Sequence, residues 1–346
     1  MPRIDVITGE LIRDEVPIES IRLPEVTTDV VSKEAMEPVQ ETTGVSETIS
    51  SGVTKEITRD KWTNIQVDSQ VLSLFMACPR KYEYVMKRHL VPAKGIKPAF
   101  RRGSIVHDAL LAYWRERIKT GDYQIAVQSA IRKAKEQFDK ESMFTGDEKL
   151  YNLGVILEFL KHVQGMNWIP LEAEKFFRVP IYEDANLKLK IWLTGRIDLI
   201  VRTPQIAKLP IDLKTESERW FHTQMSNQFR IYCMACEVNL LGVQRIGFQE
   251  KLDAKDKFKL ELLPFDPDVL EEWRTETLPY YVKQLMIAHE DNYFPMNTTN
   301  CVHGHFKCEF SDANDQGFCN VSRNIREQKL SRYFVIGEPW DPSKTD

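Results

Sequence analysis

The residues of this sequence best suited to chemistry are two aspartates and a lysine: Asp198 in LTGRIDLIV, then Asp212 and Lys214 in PIDLKT, fourteen residues further on. Asp198 sits among apolar neighbours, where a carboxylate is costly to bury unless a metal or a cation compensates it. Both segments read as strands. Asp212 and Lys214, two apart, leave the same face of their strand, while Leu213 points to the other. Two carboxylates and an ammonium then converge. Hard oxygen ligands of this kind can hold a divalent ion that polarises a phosphate and lowers the pKa of bound water, with Lys214 positioning that water or neutralising charge. A buried salt-bridge cluster accounts for a lone D-x-K equally well; Asp198 on the preceding strand favours the chemistry.

The elements that must position these residues are legible around them. An aromatic-rich stretch, Gln70 to Arg88, carries a Ser73 start signal and a Pro79 that breaks or kinks it. RRGSIVHDALLAYWRER, residues 101 to 117, has Ile105, Ala109, Ala112 and Tyr113 at helical spacing, and further helical pattern runs from Tyr123 to Gly165, interrupted near Thr145 and Gly146. Three strands are predicted next: Leu171 to Tyr182, Leu187 to Arg202 and Leu209 to Thr215. A helix over Trp220 to Leu241 follows, then a hairpin (Arg245 to Lys251, Phe258 to Pro264) and a helix between Asp268 and Asn292. Strands flanked on both sides by helices imply one α/β domain.

GRIDLI, then IDLKT, then Gln228 and Tyr232 in QFRIY resemble, in order, spacing and residue type, the motifs of RecB-like PD-(D/E)xK nucleases. Upstream, RRGSIVH resembles that family's G-x-x-x-H segment, with Gly103 one turn before His107. The resemblance spans about residues 70 to 320. It implies a restriction-endonuclease-like central mixed sheet flanked by helices, a metal site of His107, Asp198 and Asp212, and catalytic roles for these three with Lys214, Gln228 and Tyr232. Gln228 and Tyr232, four apart, share one helical face. Glu174, in the first of the three strands, is an additional acidic candidate, since some relatives carry one there.

Cys78 lies before this core, while Cys301, Cys308 and Cys319 cluster after it. The one-plus-three distribution is similar to the iron-sulfur branch of RecB-like nucleases, which includes the AddB nuclease domain and CRISPR-associated RecB-like exonucleases, and it implies a structural 4Fe-4S cluster on these four thiolates. Ten residues separate Cys308 from Cys319, a wider gap than relatives tend to have. Zn²⁺ is the rival, because His303 and His305 lie between Cys301 and Cys308; ordinary core thiols are the third reading. Cys233 and Cys236 form a C-x-x-C with no second pair, which favours core packing.

Composition sets the frame. The chain has 346 residues and a net charge of -4, of which residues 1 to 60, with 13 acids and 6 bases, contribute -7 and the remainder +3. No aromatic residue occurs from Met1 to Lys61, so 1–61 is expected to be a disordered acidic arm, with partner binding in a larger assembly as its further reading. Residues 62–330 are expected to form the nuclease domain with its cysteine cluster, and 331–346 a tail. No bilayer-length apolar run or signal-peptide core is present, so a cytoplasmic protein without membrane contact is expected. The functional expectation is a DNA nuclease using Mg²⁺ or Mn²⁺, an exonuclease on DNA ends or single strands in recombination, repair or DNA processing. The alternative is a non-catalytic DNA-binding or scaffold module of the same fold.

Overall fold

The computed structural model describes residues 3–4, 11–12, 63–93, 95, 97–185, 188–216, 226–249, 251–303, 306–310 and 317–338. The chain divides into two compact units, Met1–Lys55 and Glu56–Asp346. In the first, Arg3–Ile4 pairs antiparallel with Leu11–Ile12; the acidic arm expected over 1–61 otherwise lies outside the described residues.

The second unit is a mixed α/β structure built on a six-stranded sheet. Chain order begins with a strand, β1 (Thr63–Val67), and a helix, α1 (Ser69–Ala77), capped by the buried Asp68 carboxylate, which accepts the Val71 N–H at 2.7 Å. Pro79 ends that run as expected and opens a short helix, Pro79–Tyr82, at a position where its missing N–H costs nothing. After β2 (Leu90–Pro92) come three helices: α2 (Pro98–Thr120), closed by Gly121 at φ 71°, α3 (Tyr123–Lys140) and α4 (Gly146–Gln164). The interruption near Thr145 is a capping box, in which Thr145 and Glu148 satisfy each other's backbone N–H groups.

The long strand β4 (Leu189–Arg202) is the hub of the sheet. One edge pairs antiparallel with β3 (Ile169–Asp184) along its whole length. The other edge is shared: residues Leu189 to Leu193 pair in parallel with β1, and Leu199 to Val201 pair antiparallel with β5 (Leu209–Glu216). The strands therefore splay between Leu193 and Leu199, and Asp198 lies in that fork. Beyond β5, the sheet continues with a parallel strand β6 (Leu240–Gly247) and an antiparallel β7 (Leu260–Pro264). The connection from β5 to β6 runs through α5 (Asn227–Cys236), which is shorter than the predicted Trp220–Leu241 because Glu237 turns left-handed at φ 56° and β6 starts at Leu240. The predicted hairpin is the β6–β7 pair, and the helix predicted between Asp268 and Asn292 is continuous from Pro267 to α6 (Leu278–Glu290) through a π-helical turn at Trp273–Thr277.

Two apolar cores lie against the sheet. One joins β1 and β4 to α1, α5 and α6, with Leu72, Ile191, Ile197, Ile231 and Leu285 buried in it; the other joins β5 and the end of β4 to α2, α3 and α4, with Leu110, Phe159, Leu199, Ile211 and Leu213. A smaller cluster, Tyr84, Leu90, Phe310, Phe318, Leu330 and Phe334, closes over the π-helical turn Glu83–Lys87. There β8 (Phe334–Ile336), following α7 (Arg323–Tyr333), pairs antiparallel with β2. Among the described residues no helix is long and apolar enough to cross a membrane.

Candidate active site

Asp212 is fully buried at the middle of β5, its neighbours Ile211 and Leu213 packed into the α2–α4 core. Its carboxylate points the other way, with Lys214. The Lys214 ammonium lies 2.9 Å from Asp212 Oδ2 and donates to Oδ1 at 3.2 Å. From the first turn of α5, Gln228 Nε2 donates to the same Oδ1 at 3.0 Å and to the Tyr232 hydroxyl at 2.9 Å, while Gln228 Oε1 accepts from Lys214 at 3.2 Å. Burial pushes the Asp212 carboxyl above the usual carboxylate range; Lys214 opposes this and Asp198 adds to it. Burial, reinforced by the charges of Asp198 and Asp212, drives the Tyr232 phenol well above its ordinary value, so it stays neutral and serves as a partner for Gln228.

Asp198 fills the fork. Its Oδ2 accepts the Leu213 N–H at 2.8 Å, doing for β5 what a strand carbonyl would do if β4 had stayed paired there. His107 approaches from α2, with Nδ1 4.0 Å from the same oxygen. A residue one turn earlier explains how α2 gets so close: a Cβ on Gly103 would stand 2.9 Å from Thr215 Oγ1, so any larger residue would require the threonine side chain or the helix to shift. Gly195 has a similar reason, since Phe177, its register partner on β3, lies across it and a Cβ would meet the ring at 2.6 Å. Phe177 in turn packs edge-on against Tyr232, with ring centroids 6.3 Å apart. Neither contact was legible in the sequence; a glycine inside a strand pattern was the available signal for the second.

All six residues predicted for the site thus occupy one connected cluster. Glu174 lies beside it: it would face Asp198 in the register between Ala173↔Leu199 and Lys175↔Ile197, and it accepts a hydrogen bond from Arg196 at 3.1 Å. Aromatic residues near such a site could stack on bases. Tyr82 and Tyr84 are core residues, Trp192 stacks under Arg178 and Lys190, and Trp220 and Phe221 lie outside the described residues.

The family model of the PD-(D/E)XK nuclease superfamily matches residues 69–313, well over half of the chain. The chain belongs to the PD-(D/E)XK nuclease superfamily. That membership suggests nuclease activity, and PD-(D/E)XK nucleases typically use divalent metals such as Mg²⁺. No curated protein matches the chain. The crystal structure of SSO0001 is similar at 12% identity and a TM-score of 0.29, over 64% of this chain and 75% of that one.

The donors of this PD-(D/E)XK site suit such an ion. Asp212 Oδ2 is buried and accepts no well-aligned hydrogen bond, the ammonium beside it being an ionic contact only, so a lone pair in the fork is uncommitted. As they stand, no three His, Cys, Asp or Glu side chains among the described residues form a group that could hold a metal.

The same holds at the cysteines, yet these four share one neighbourhood. Cys78, at the end of α1, accepts the Asn297 N–H at 3.4 Å; Cys301 lies 3.8 Å from the Asn297 carbonyl oxygen; Cys308 N–H donates to the Cys301 carbonyl at 3.0 Å. Burial pushes the Cys319 thiol up to about 11, with Arg80 opposing and Cys308, Cys78 and Cys301 all near enough to add to it. The side chains of His303 and His305, which the zinc reading needs, lie outside the described residues. Cys233 and Cys236 are buried in the core of the α5 face, as their isolation predicted.

Proposed function

We propose that this PD-(D/E)XK protein is a Mg²⁺- or Mn²⁺-dependent DNA nuclease of the RecB-like type, an exonuclease acting on DNA ends or single strands in recombination, repair or DNA processing. The observation that carries this reading is the fork in the sheet. Two carboxylates on adjacent strands face a lysine and an imidazole, and the buried Asp212 Oδ2 has an ionic contact with Lys214 but no hydrogen bond. Asp198, Asp212 and His107 would hold the ion, which supplies a polarised phosphate and bound water of lowered pKa. Lys214, tethered by Gln228, holds a positive charge beside the reacting phosphate; Tyr232 fixes the amide of Gln228 and so the position of both. Cys78, Cys301, Cys308 and Cys319 would hold a 4Fe-4S cluster with a structural role, Zn²⁺ being the competing occupant.

The test is cleavage of end-labelled single- and double-stranded DNA in Mg²⁺, Mn²⁺ and EDTA, with Lys214→Ala alongside. Metal-dependent products that fall by at least about 100-fold in the variant are expected. The variant stays folded, because Gln228 still donates to Asp212 and that carboxyl can take up a proton. Undiminished cutting by Lys214→Ala would sink the site assignment; no cutting by folded, metal-loaded protein would leave a nucleic-acid-binding module of the same fold.

A further inference from the structure

Next to the fork lies a polar cleft of about 270 Å³, walled by α2, α3 and the β3–β4 hairpin. Its lining includes the immediate neighbours of two residues assigned above to the metal: Asp108 follows His107, and Arg196 stands two before Asp198 on β4, on the same face. Three cations, Arg115, Lys133 and Arg196, line it together with the carboxylates of Asp108, Glu116 and Glu174. Each carboxylate is already engaged. Gln137 donates to Asp108 at 2.6 Å, Lys119 stands 3.7 Å from Glu116, and Arg196 is held by Glu174 at 3.1 Å. Arg115 and Lys133 are exposed and have no ion-pair partner among the described residues.

The backbone adds a second observation. Glu174 sits at φ 47° in the interior of a strand, a left-handed conformation that a glutamate rarely adopts. The ladder keeps its register on both sides of this residue, but the pair opposite Asp198 is missing from it, and the Glu174 side chain accepts from Arg196.

We propose that this cleft binds a backbone phosphate of the nucleic-acid strand adjacent to the phosphate being cut, with Arg115 and Lys133 as its ligands. Arg196, steered by Glu174, guides the strand from the cleft into the fork. This rests on the nuclease reading and specifies how that site takes its substrate. Phosphate contacts of this kind carry no sequence information; they fix where the strand lies.

The experiment is the salt dependence of binding, read by the anisotropy of a fluorescein-labelled single-stranded oligonucleotide in Ca²⁺ and in EDTA, for the full chain and for Arg115→Ala, Lys133→Ala and Lys135→Ala. Lys135 is exposed on the same helix but outside the cleft. Each lost phosphate contact removes about 0.7 from the slope of log K against log salt. The expected result is a slope reduced by up to about 0.7 in Arg115→Ala and in Lys133→Ala, which share one phosphate, with the parent slope kept in Lys135→Ala. Equal slopes in all four proteins, while the parent still cuts DNA, would overturn the cleft and leave the nuclease reading standing. A parent that neither binds nor cuts would overturn both.

Discussion

At Asp198 one carboxylate has two tasks that substitution can separate. Its charge faces the fork, and its Oδ2 accepts the Leu213 N–H that the splayed strand would otherwise orphan. Asp198→Asn keeps an acceptor for that N–H but loses the charge, so cleavage should fall by at least about 100-fold while thermal stability changes little. Asp198→Ala should lose activity equally and, with a buried N–H unsatisfied, about 1–3 kcal/mol of stability as well. Urea unfolding of the two variants beside cleavage assays checks the split. Asp198, Asp212, Lys214, Gln228 and Tyr232 were legible because each is an unusual residue for its place or recurs at a spacing with geometric meaning. Arg196 was not, since its reason, Glu174, lies on another strand; Gly103 was legible through the G-x-x-x-H resemblance, but its packing reason, Thr215, was not.

Between elements, the closeness of packing under the site is the testable quantity. Gly195→Ala would drive a methyl group into the Phe177 ring, and the displaced ring is the one that supports Tyr232. A cost of about 1–3 kcal/mol is expected, together with lost activity; adding Phe177→Leu should restore part of the stability. A second test concerns α1. Burial raises its Asp68 cap from 3.8 to about 6, against the Val71 and Gln70 N–H groups that lower it. The folded protein therefore holds this proton over a window in which the unfolded chain has released it. The contribution is fully present below about 4 and is lost as pH rises through about 6. Asp68→Asn keeps the cap without the charge, so it should flatten that part of the stability profile and gain up to about 2 kcal/mol at neutral pH. Chemical unfolding between pH 4 and 8 reads this. The helices and the three strands β3 to β5 were legible from periodicity, most ends moving by three residues or fewer, while α5 was predicted to start seven residues too early and to end five too late. The strand β1 was not, because five residues of TNIQV carry too little alternation to announce a strand until β4 is there to pair with it.

Across the whole molecule, the cysteine neighbourhood joins distant stretches. Asn297 and Asn300 donate to the Ala77 carbonyl oxygen at 3.0 and 2.7 Å, beside Cys78, while Cys308 and Cys319 pack on the cluster around Phe310 and Phe334. If the thiols hold iron and sulfide, purified protein should carry about four irons with broad visible absorbance, and Cys78→Ser should lower the melting temperature and bleach the colour. Elemental analysis showing one zinc instead would settle the occupant the other way. The antiparallel pairing of β2 with β8 carries the same closure into the backbone, joining Leu90 to Ile336. A ribosome releases Cys78 and β2 long before their partners, so the sheet that carries the fork can be complete while this seam is still open. Until residue 336 has emerged, Leu90 and its neighbours lack the strand that pairs with them, and until residue 301 has emerged Cys78 stands without the other three thiols of its neighbourhood.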